Sequence, residues 1–209
     1  MWRFWTIIGC LKSSTLRHSA TLCRIMEVDG SAGRIRRAET ADAAALAELA
    51  ARIFTDTFAA DTRPDDLAEF LARSYGVRQQ TAELADPGVV TLVADVADDD
   101  GRLAAYAQVR RREPPACVKG EEPVELWRFY VDRRWHGSGL AHRLMAAVQD
   151  VALDLGGRTL WLSVWERNPR AIRFYEKHGF RDMGAEPFWV GSDCQTDRIL
   201  AAEIARPAP

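Results

Sequence analysis

The sequence lacks several features that would place the protein in a specialised class. No stretch approaches the roughly 20 apolar residues of a membrane-spanning helix, and Lys and Arg do not outnumber Asp and Glu (28 against 30), so neither a membrane nor a nucleic-acid partner is predicted. The four cysteines are far apart and form no Cys-x-x-Cys pair, which argues against a disulfide framework and a zinc site. Such isolated cysteines are typical of a reducing compartment and predict a cytoplasmic location.

The first 26 residues also lack any acidic residue, although they contain four basic ones. The apolar run before Cys10 resembles a lipoprotein signal, the basic and serine-rich character resembles a transit peptide, and an upstream extension would place the natural start near Met26. We favour the extension, because the apolar run is too short for a signal. The predicted organisation is an extension over residues 1–33, one domain over residues 34–205 and a tail over residues 206–209.

What the sequence does contain is an alternation of strand and helix patterns around one core, which predicts a mixed α/β (α+β) domain. Strands are predicted at residues 34–38, 89–96, 103–112, 126–131, 159–164, 180–190 and 195–204. Helices are predicted at residues 42–60, from residue 64, at 75–86 and 140–155, and from 168 or 169 to 178.

The stretch from Glu125 to Met145 joins a strand to a helix through a loop that contains two glycines. Gly137 and Gly139 leave backbone amides uncovered beside the start of the helix at Leu140. Free amides and the positive end of the helix dipole predict a site for phosphate oxygens. The alternative is a tight turn in which the glycines serve geometry alone.

Two motifs in this part of the chain resemble those of a known family. The segment Arg134-Trp135-His136-Gly137-Ser138-Gly139 resembles the Arg/Gln-x-x-Gly-x-Gly signature of the GNAT superfamily of acetyl-CoA-dependent N-acetyltransferases. The segment from Asn168 to Phe180 is similar to that family's Asn-x-x-Ala-x-x-Phe-Tyr-x-x-x-Gly-Phe pattern. The resemblance implies a GNAT fold, in which a mostly antiparallel mixed sheet is flanked by helices and splayed between its fourth and fifth strands.

The same resemblance implies acetyl-CoA as co-substrate, without a metal, and a set of residues that bind it. The main chain of Phe129 and Val131 is expected to pair with the pantetheine arm, and Asn168 to hydrogen-bond that arm, although Asn168 also suits a helix cap. The pyrophosphate is expected to contact the loop and first helical turn, namely Arg134, His136, Gly137, Ser138, Gly139, Leu140 and Ala141. For Arg134 and His136, an ordinary solvated loop position is the alternative.

Two residues are predicted to be catalytic. Tyr175 matches the family tyrosine that gives its proton to the departing thiolate, while core packing is the ordinary role of a helical tyrosine. Glu125 matches a position where several GNAT enzymes carry a general base. Regular strand alternation would place it on one face with Trp127, Phe129 and Val131. An exposed strand-edge position is the alternative, and Glu121, Glu122 and Glu166 are rival carboxylates.

The predicted function is direct transfer of an acetyl group to a primary amine of a small molecule or peptide. The segments 160–168 and 188–191 resemble polyamine acetyltransferases of the PaiA type, and acids near the first helix end fit a polycation: Asp56, Asp61, Asp65 and Asp66. Acetylation of a protein N-terminus or lysine is one alternative, and a non-catalytic acyl-CoA-binding regulator is another. A homodimer is one possible assembly.

Overall fold

The computed structural model describes residues 33–59, 62–95, 102–190 and 193–206. The predicted extension and the turns near residues 98–101 and 191–192 therefore lie outside the described residues, apart from residue 33. The strands are β1 (Arg34–Arg37), β2 (Val89–Asp95), β3 (Leu103–Arg110), β4 (Pro123–Val131), β5 (Thr159–Trp165), β6 (Arg181–Val190) and β7 (Asp193–Glu203). The helices are α1 (Ala43–Phe58), α2 (Pro64–Ser74), α3 (Val77–Ala85), α4 (Leu140–Asp154) and α5 (Pro169–Lys177).

All seven strands form one sheet in the order β1-β2-β3-β4-β5-β7-β6. Neighbouring strands are antiparallel except for β4 and β5, which are parallel and pair over only three positions, from Pro123 with Thr159 to Glu125 with Trp161. Beyond those positions the two strands separate, so their facing edges have no strand partner in the described part of the chain. The predicted mixed sheet, flanked by helices and splayed between β4 and β5, is confirmed.

The two faces of the sheet are covered differently. Helix α4 and the aromatic side of α5 pack on one face, where Leu140, Leu144 and Leu162 belong to an aliphatic core. Helices α1 and α2 pack on the opposite face around Phe54 and Tyr106. We label the first the cofactor face and the second the acceptor face after the roles that we expect for them, since the first carries α4 with the glycine loop at its start.

A β-bulge at Trp127 breaks the regular alternation of β4. Gln108 pairs with Arg128 and Val109 pairs with Leu126, so Trp127 is an extra residue without an opposite partner. Residues directly opposite each other share a face, and Glu125 lies opposite Arg110. Glu125 is therefore on the acceptor face with Arg128 and Tyr130, which follow it on the far side of the bulge. The prediction that Glu125 shares a face with Phe129 and Val131 was wrong, because the bulge shifts the later residues by one position.

Candidate active site

The loop between β4 and α4 is an open cradle. Gly137 and Gly139 have φ angles of +83° and +84°, a region that side chains with a Cβ rarely adopt. A Cβ built on either glycine meets no atom of the described residues within 4 Å. The glycines are thus needed for backbone conformation, and the space above them is accessible to a ligand.

Several amides in this cradle point to no acceptor within the described part of the chain: those of Gly137, Gly139, Ala141 and His142. The Ser138 hydroxyl donates to the Trp135 carbonyl at 2.7 Å and accepts from the Leu140 amide at 3.3 Å, which fixes the turn. Free amides at the start of a 15-residue helix form a site for phosphate oxygens. The residues present therefore fit a diphosphate.

Asp132 holds the beginning of this loop. Its buried carboxylate accepts from the Arg134 amide at 2.9 Å and from Arg52 on α1 at 2.6 Å. Burial opposes ionisation, but the hydrogen bonds from Arg134 and the charge of Arg52 outweigh it and lower the pKa of Asp132. The Arg134 side chain, predicted to add charge to the phosphate site, also contacts Asp132, at 3.2 Å.

His136 lies between the loop and α5. Its Nε2 is 3.0 Å from the Val131 carbonyl, and its Nδ1 is 2.6 Å from an Arg170 guanidinium nitrogen. These contacts fit a neutral ring whose Nε2–H donates to the carbonyl. Burial lowers the pKa of His136 and so also favours the neutral form of the ring. The main-chain carbonyl of Val131, predicted to pair with pantetheine, is therefore bonded to His136 in this structure.

Helix α5 positions two more of the predicted site residues, Asn168 at its cap and Tyr175 within it. The Asn168 side-chain oxygen accepts from the Ala171 amide at 3.1 Å, so Asn168 caps the helix while its side-chain NH₂ group is not used by that bond. Tyr175 is buried beside Phe129, with ring centroids 6.2 Å apart. Burial, together with nearby Tyr130, raises the pKa of Tyr175, so the phenol keeps its proton at neutral pH.

Glu125 lies at the closed end of the opening and is almost fully buried. One oxygen accepts from Arg110 Nε at 2.5 Å, and the other accepts from Arg112 at 3.4 Å. Both oxygens therefore have a guanidinium partner. Its role as general base stays a prediction.

Comparison with known proteins identifies the scaffold that carries this site. The sequence model of the Acetyltransferase (GNAT) family matches residues 44–180, more than half of the chain. The chain belongs to the GNAT family.

The acetyltransferase has relatives with several names. An uncharacterized N-acetyltransferase of Mycobacterium tuberculosis is 32% identical over 163 residues, which cover 78% of this chain and 98% of the relative. The aminoglycoside N(6')-acetyltransferase type 1 of Stenotrophomonas maltophilia is 36% identical over 62% of this chain and 74% of its own length.

A solved structure shares the fold of this acetyltransferase. The PaiA N-acetyltransferase of Thermoplasma acidophilum, crystallised with coenzyme A, aligns with a TM-score of 0.64 at 18% identity, over 81% of this chain and 98% of that one. At this identity the likeness concerns the fold alone.

The acceptor face of the acetyltransferase contains polar residues that the sequence prediction missed. Arg128 is buried and contacts Glu83 of α3, the Gln108 side chain at 2.8 Å and the Ser74 carbonyl at 3.4 Å. Asp197 on β7 is also buried, and one of its oxygens has no partner among the residues that the structure describes. Gln108 and Arg128 could have been noticed as polar residues within apolar strands, whereas Asp197 follows Thr196 in an ordinary polar run.

The three rival carboxylates are exposed at the surface of the protein. Glu121 and Glu122 are exposed and contact Arg158 and Arg111 respectively, and Glu166 is exposed at the end of β5. No group of three or more His, Cys, Asp or Glu side chains in the described ranges is arranged to hold a metal ion. In the same ranges no helix is both long enough and apolar enough to cross a bilayer.

Proposed function

We propose that this chain transfers an acetyl group from acetyl-CoA to a primary amine by direct attack of the amine on the thioester. The observation that carries the proposal is the cradle of unpaired amides at the start of α4, directly after the strand that separates from β5. A diphosphate held there directs a flexible thioester arm along the opening between the strands.

In this proposal the residues of the chain act in three places. The amides of Gly137, Gly139 and Ala141 bind the diphosphate. The unpaired edge of β4 at Phe129 and Val131 hydrogen-bonds the extended arm, after the His136 ring leaves the Val131 carbonyl. Tyr175, protonated at neutral pH, gives its proton to the departing thiolate.

The favoured acceptor is a polyamine. Glu166, Glu186 and Asp197 place negative charge beside the end of β5, where a cationic amine would be attracted. The Bacillus subtilis spermine/spermidine N(1)-acetyltransferase is 36% identical over 66 residues, which cover 43% of its length. The relative named for aminoglycosides makes a second polycationic amine a competing acceptor.

Calorimetric titration with acetyl-CoA, followed by a thiol-release assay with an amine panel, tests the proposal. We expect saturable binding of acetyl-CoA and thiol release with spermidine or spermine. If thiol is released only with an aminoglycoside, or only with peptide N-termini or lysines, that amine replaces the polyamine as the proposed acceptor. Binding without release for any amine would favour a non-catalytic acyl-CoA-binding regulator.

Two further predictions accompany this function. A cytoplasmic location is checked by fractionation of the source cells. A homodimer is checked by light scattering of the purified chain, with and without acetyl-CoA.

A further inference from the structure

Asp197 differs from the other buried carboxylates of the described chain. Glu83, Glu125 and Asp132 each contact at least one arginine. Asp197 is only 8% exposed, and its Oδ1 has no hydrogen-bond partner among the described residues. A buried carboxylate without a partner is costly, because neither water nor a cation compensates the lost solvation. Its presence therefore suggests a ligand that supplies the missing contact.

The surroundings of Asp197 on the acceptor face are polar. Asp197 pairs with Trp165 across β7 and β5 and with Glu186 across β7 and β6, so these three side chains share a face. Two residues before Trp165, Ser163 is exposed although β5 is a central strand. Its hydroxyl donates to Glu186 at 2.9 Å. Ser163, Glu186 and Asp197 thus form a polar floor on this face, next to Trp165, which packs against Phe58 of α1.

A cavity extends this floor past the end of β5. It has a volume of about 120 Å³ and is lined by residues that include Glu166, Gln195 and Thr196. The Gln195 side-chain oxygen is buried without a partner in the described chain, and Gln195 lies on the same face of β7 as Asp197. Gln195, which lines this cavity, therefore lies two residues from Asp197 along the same face of the strand.

Asp197 is also connected to the proposed proton donor. Burial raises the pKa of Tyr130, and the negative charge of Asp197 raises it further, so Asp197 acts across the opening from β7 to β4. Tyr130 in turn adds to the raised pKa of Tyr175. Tyr130 is therefore near enough to both groups to interact electrostatically with each of them.

We propose that Asp197 is the general base that takes the proton from the acceptor ammonium on the floor formed with Ser163 and Glu186. This inference rests on the proposed acetyl transfer. Asp197 takes one nitrogen proton and passes it to water, the nitrogen lone pair forms the C–N bond, and the C–S bond breaks. The thiolate takes the Tyr175 proton, and the second nitrogen proton restores the phenol. The products are the amide, the free thiol and one released proton.

The electrostatics of the site agree with this role. Burial raises the pKa of Asp197 to about 7, and the charges of Glu186 and Glu166 contribute in the same direction. A base with a pKa near the working pH is the most effective in proton transfer. Around this group, Tyr130 faces it from β4, while Arg167 and Asp193 line the adjacent cavity. Glu125, by comparison, has both oxygens bonded to arginines.

The test compares Asp197→Asn, Asp197→Glu and Glu125→Gln with Asp182→Asn as matched control. Asp182 is also on the β6–β7 hairpin but forms an exposed ion pair with Arg198. The assay is thiol release with saturating acetyl-CoA and the best amine of the panel, from about pH 6 to about pH 9. Acetyl-CoA affinity and melting temperature are measured for every variant.

We expect Asp197→Asn to lower kcat/KM about 100-fold or more and to remove its rise with pH near neutrality, with acetyl-CoA affinity unchanged. Asp197→Glu should keep part of the pH dependence, Glu125→Gln should lose less than about 10-fold, and Asp182→Asn should match the wild type. Because the asparagine removes an unpaired buried charge, it should also fold; an unfolded Asp197→Asn protein would contradict the inference.

The outcomes separate this inference from the proposed function. If the wild type releases thiol but Asp197→Asn keeps its rate and pH profile, the assignment of Asp197 is wrong and the acetyl transfer stands. If Glu125→Gln instead removes the pH dependence, Glu125 is the base. If the wild type binds acetyl-CoA but releases no thiol with any amine, the proposed function itself fails.

Discussion

The cofactor side and the acceptor side of the opening differ in the groups that they offer to a ligand, namely backbone amides on the first and side chains on the second. On the cofactor side, backbone amides of a glycine loop and the start of α4 have no acceptor within the described residues, and the side chains mostly fill an aliphatic core behind them. On the acceptor face, charged side chains are buried beside the core around Phe54 and Tyr106, among them Glu83, Arg128 and Asp197. A backbone site needs the same groups whatever the acceptor is, whereas side chains can be exchanged to suit one amine.

The two sides also differ in their effect on stability. Unpaired amides at a helix start are accessible to water and therefore cost little free energy without a ligand. An unpaired carboxylate at 8% exposure lowers the free energy of unfolding whenever it is ionised. The acceptor side is thus where we expect a removed polar group to cost activity while stabilising the fold.

The largest expected effect concerns Tyr175, which belongs to the core of the cofactor face. Tyr175→Phe should lower kcat about 100-fold or more, because the thiolate then lacks its proton donor, with little change in acetyl-CoA affinity or melting temperature. Thiol-release kinetics and calorimetry check this. Tyr106→Phe is the matched control, since Tyr106 is also a buried tyrosine but lies in the core of the acceptor face, and it should keep full activity. If both variants lost kcat equally, the loss would reflect disturbed packing and not a missing proton donor.

The second effect is a pH-dependent gain in stability from Asp197→Asn. Because folding raises the pKa of Asp197 from 3.8 to about 7, the folded protein binds the proton more tightly than the unfolded chain. The protonated form contributes stability fully below about pH 4, and this contribution is lost as pH rises through about 7. Relative to the wild type, the asparagine variant should therefore gain roughly 2 to 4 kcal/mol on going from about pH 4 to about pH 8.

Denaturant unfolding at several pH values measures that gain, with Asp182→Asn as the control for a carboxylate in an exposed ion pair. A difference between the Asp197→Asn variant and the wild type that does not change with pH would show that Asp197 titrates normally. In that case the unpaired polar groups of the two sides would not differ in their cost to the free energy of unfolding.

The smallest effect tests the cofactor side. Gly139→Ala should weaken acetyl-CoA binding about 10-fold, because the new Cβ enters the open cradle and the backbone at φ +84° is strained by about 1 kcal/mol. The control is Gly179→Ala at the end of α5, which has φ +85° and equally free space around its Cβ. It should lose similar stability but no affinity. If both variants bind acetyl-CoA alike, the cradle does not hold the diphosphate.

Much of the fold could be predicted from the sequence, because its elements have local signals. Pro64 begins α2 as predicted, and the loop with Gly137 and Gly139 joins a strand to α4 at Leu140. The two GNAT motifs also predicted the splayed sheet. The cofactor side is the easier one to predict, because a glycine with positive φ and a helix start are encoded within a few residues.

The acceptor side could not be predicted in the same way. Whether Glu125 faces Phe129 or Arg128 depends on the bulge at Trp127, which exists only in the pairing of β4 with β3. Likewise, the missing partner of Asp197 depends on where β5, β6 and β7 bring Trp165 and Glu186. No local pattern in β7 distinguishes this aspartate from a solvated one.

The sequence by itself determined the chain's helices and strands, its glycine cradle and its membership of an acetyltransferase family, since each depends on residues close together in the chain. Only the tertiary structure decided which carboxylates are paired with arginine and which is left alone. The physical reason is that burial and charge pairing are set by neighbours distant in sequence: Arg110 lies 15 residues before Glu125, and Trp165 lies opposite Asp197 on another strand.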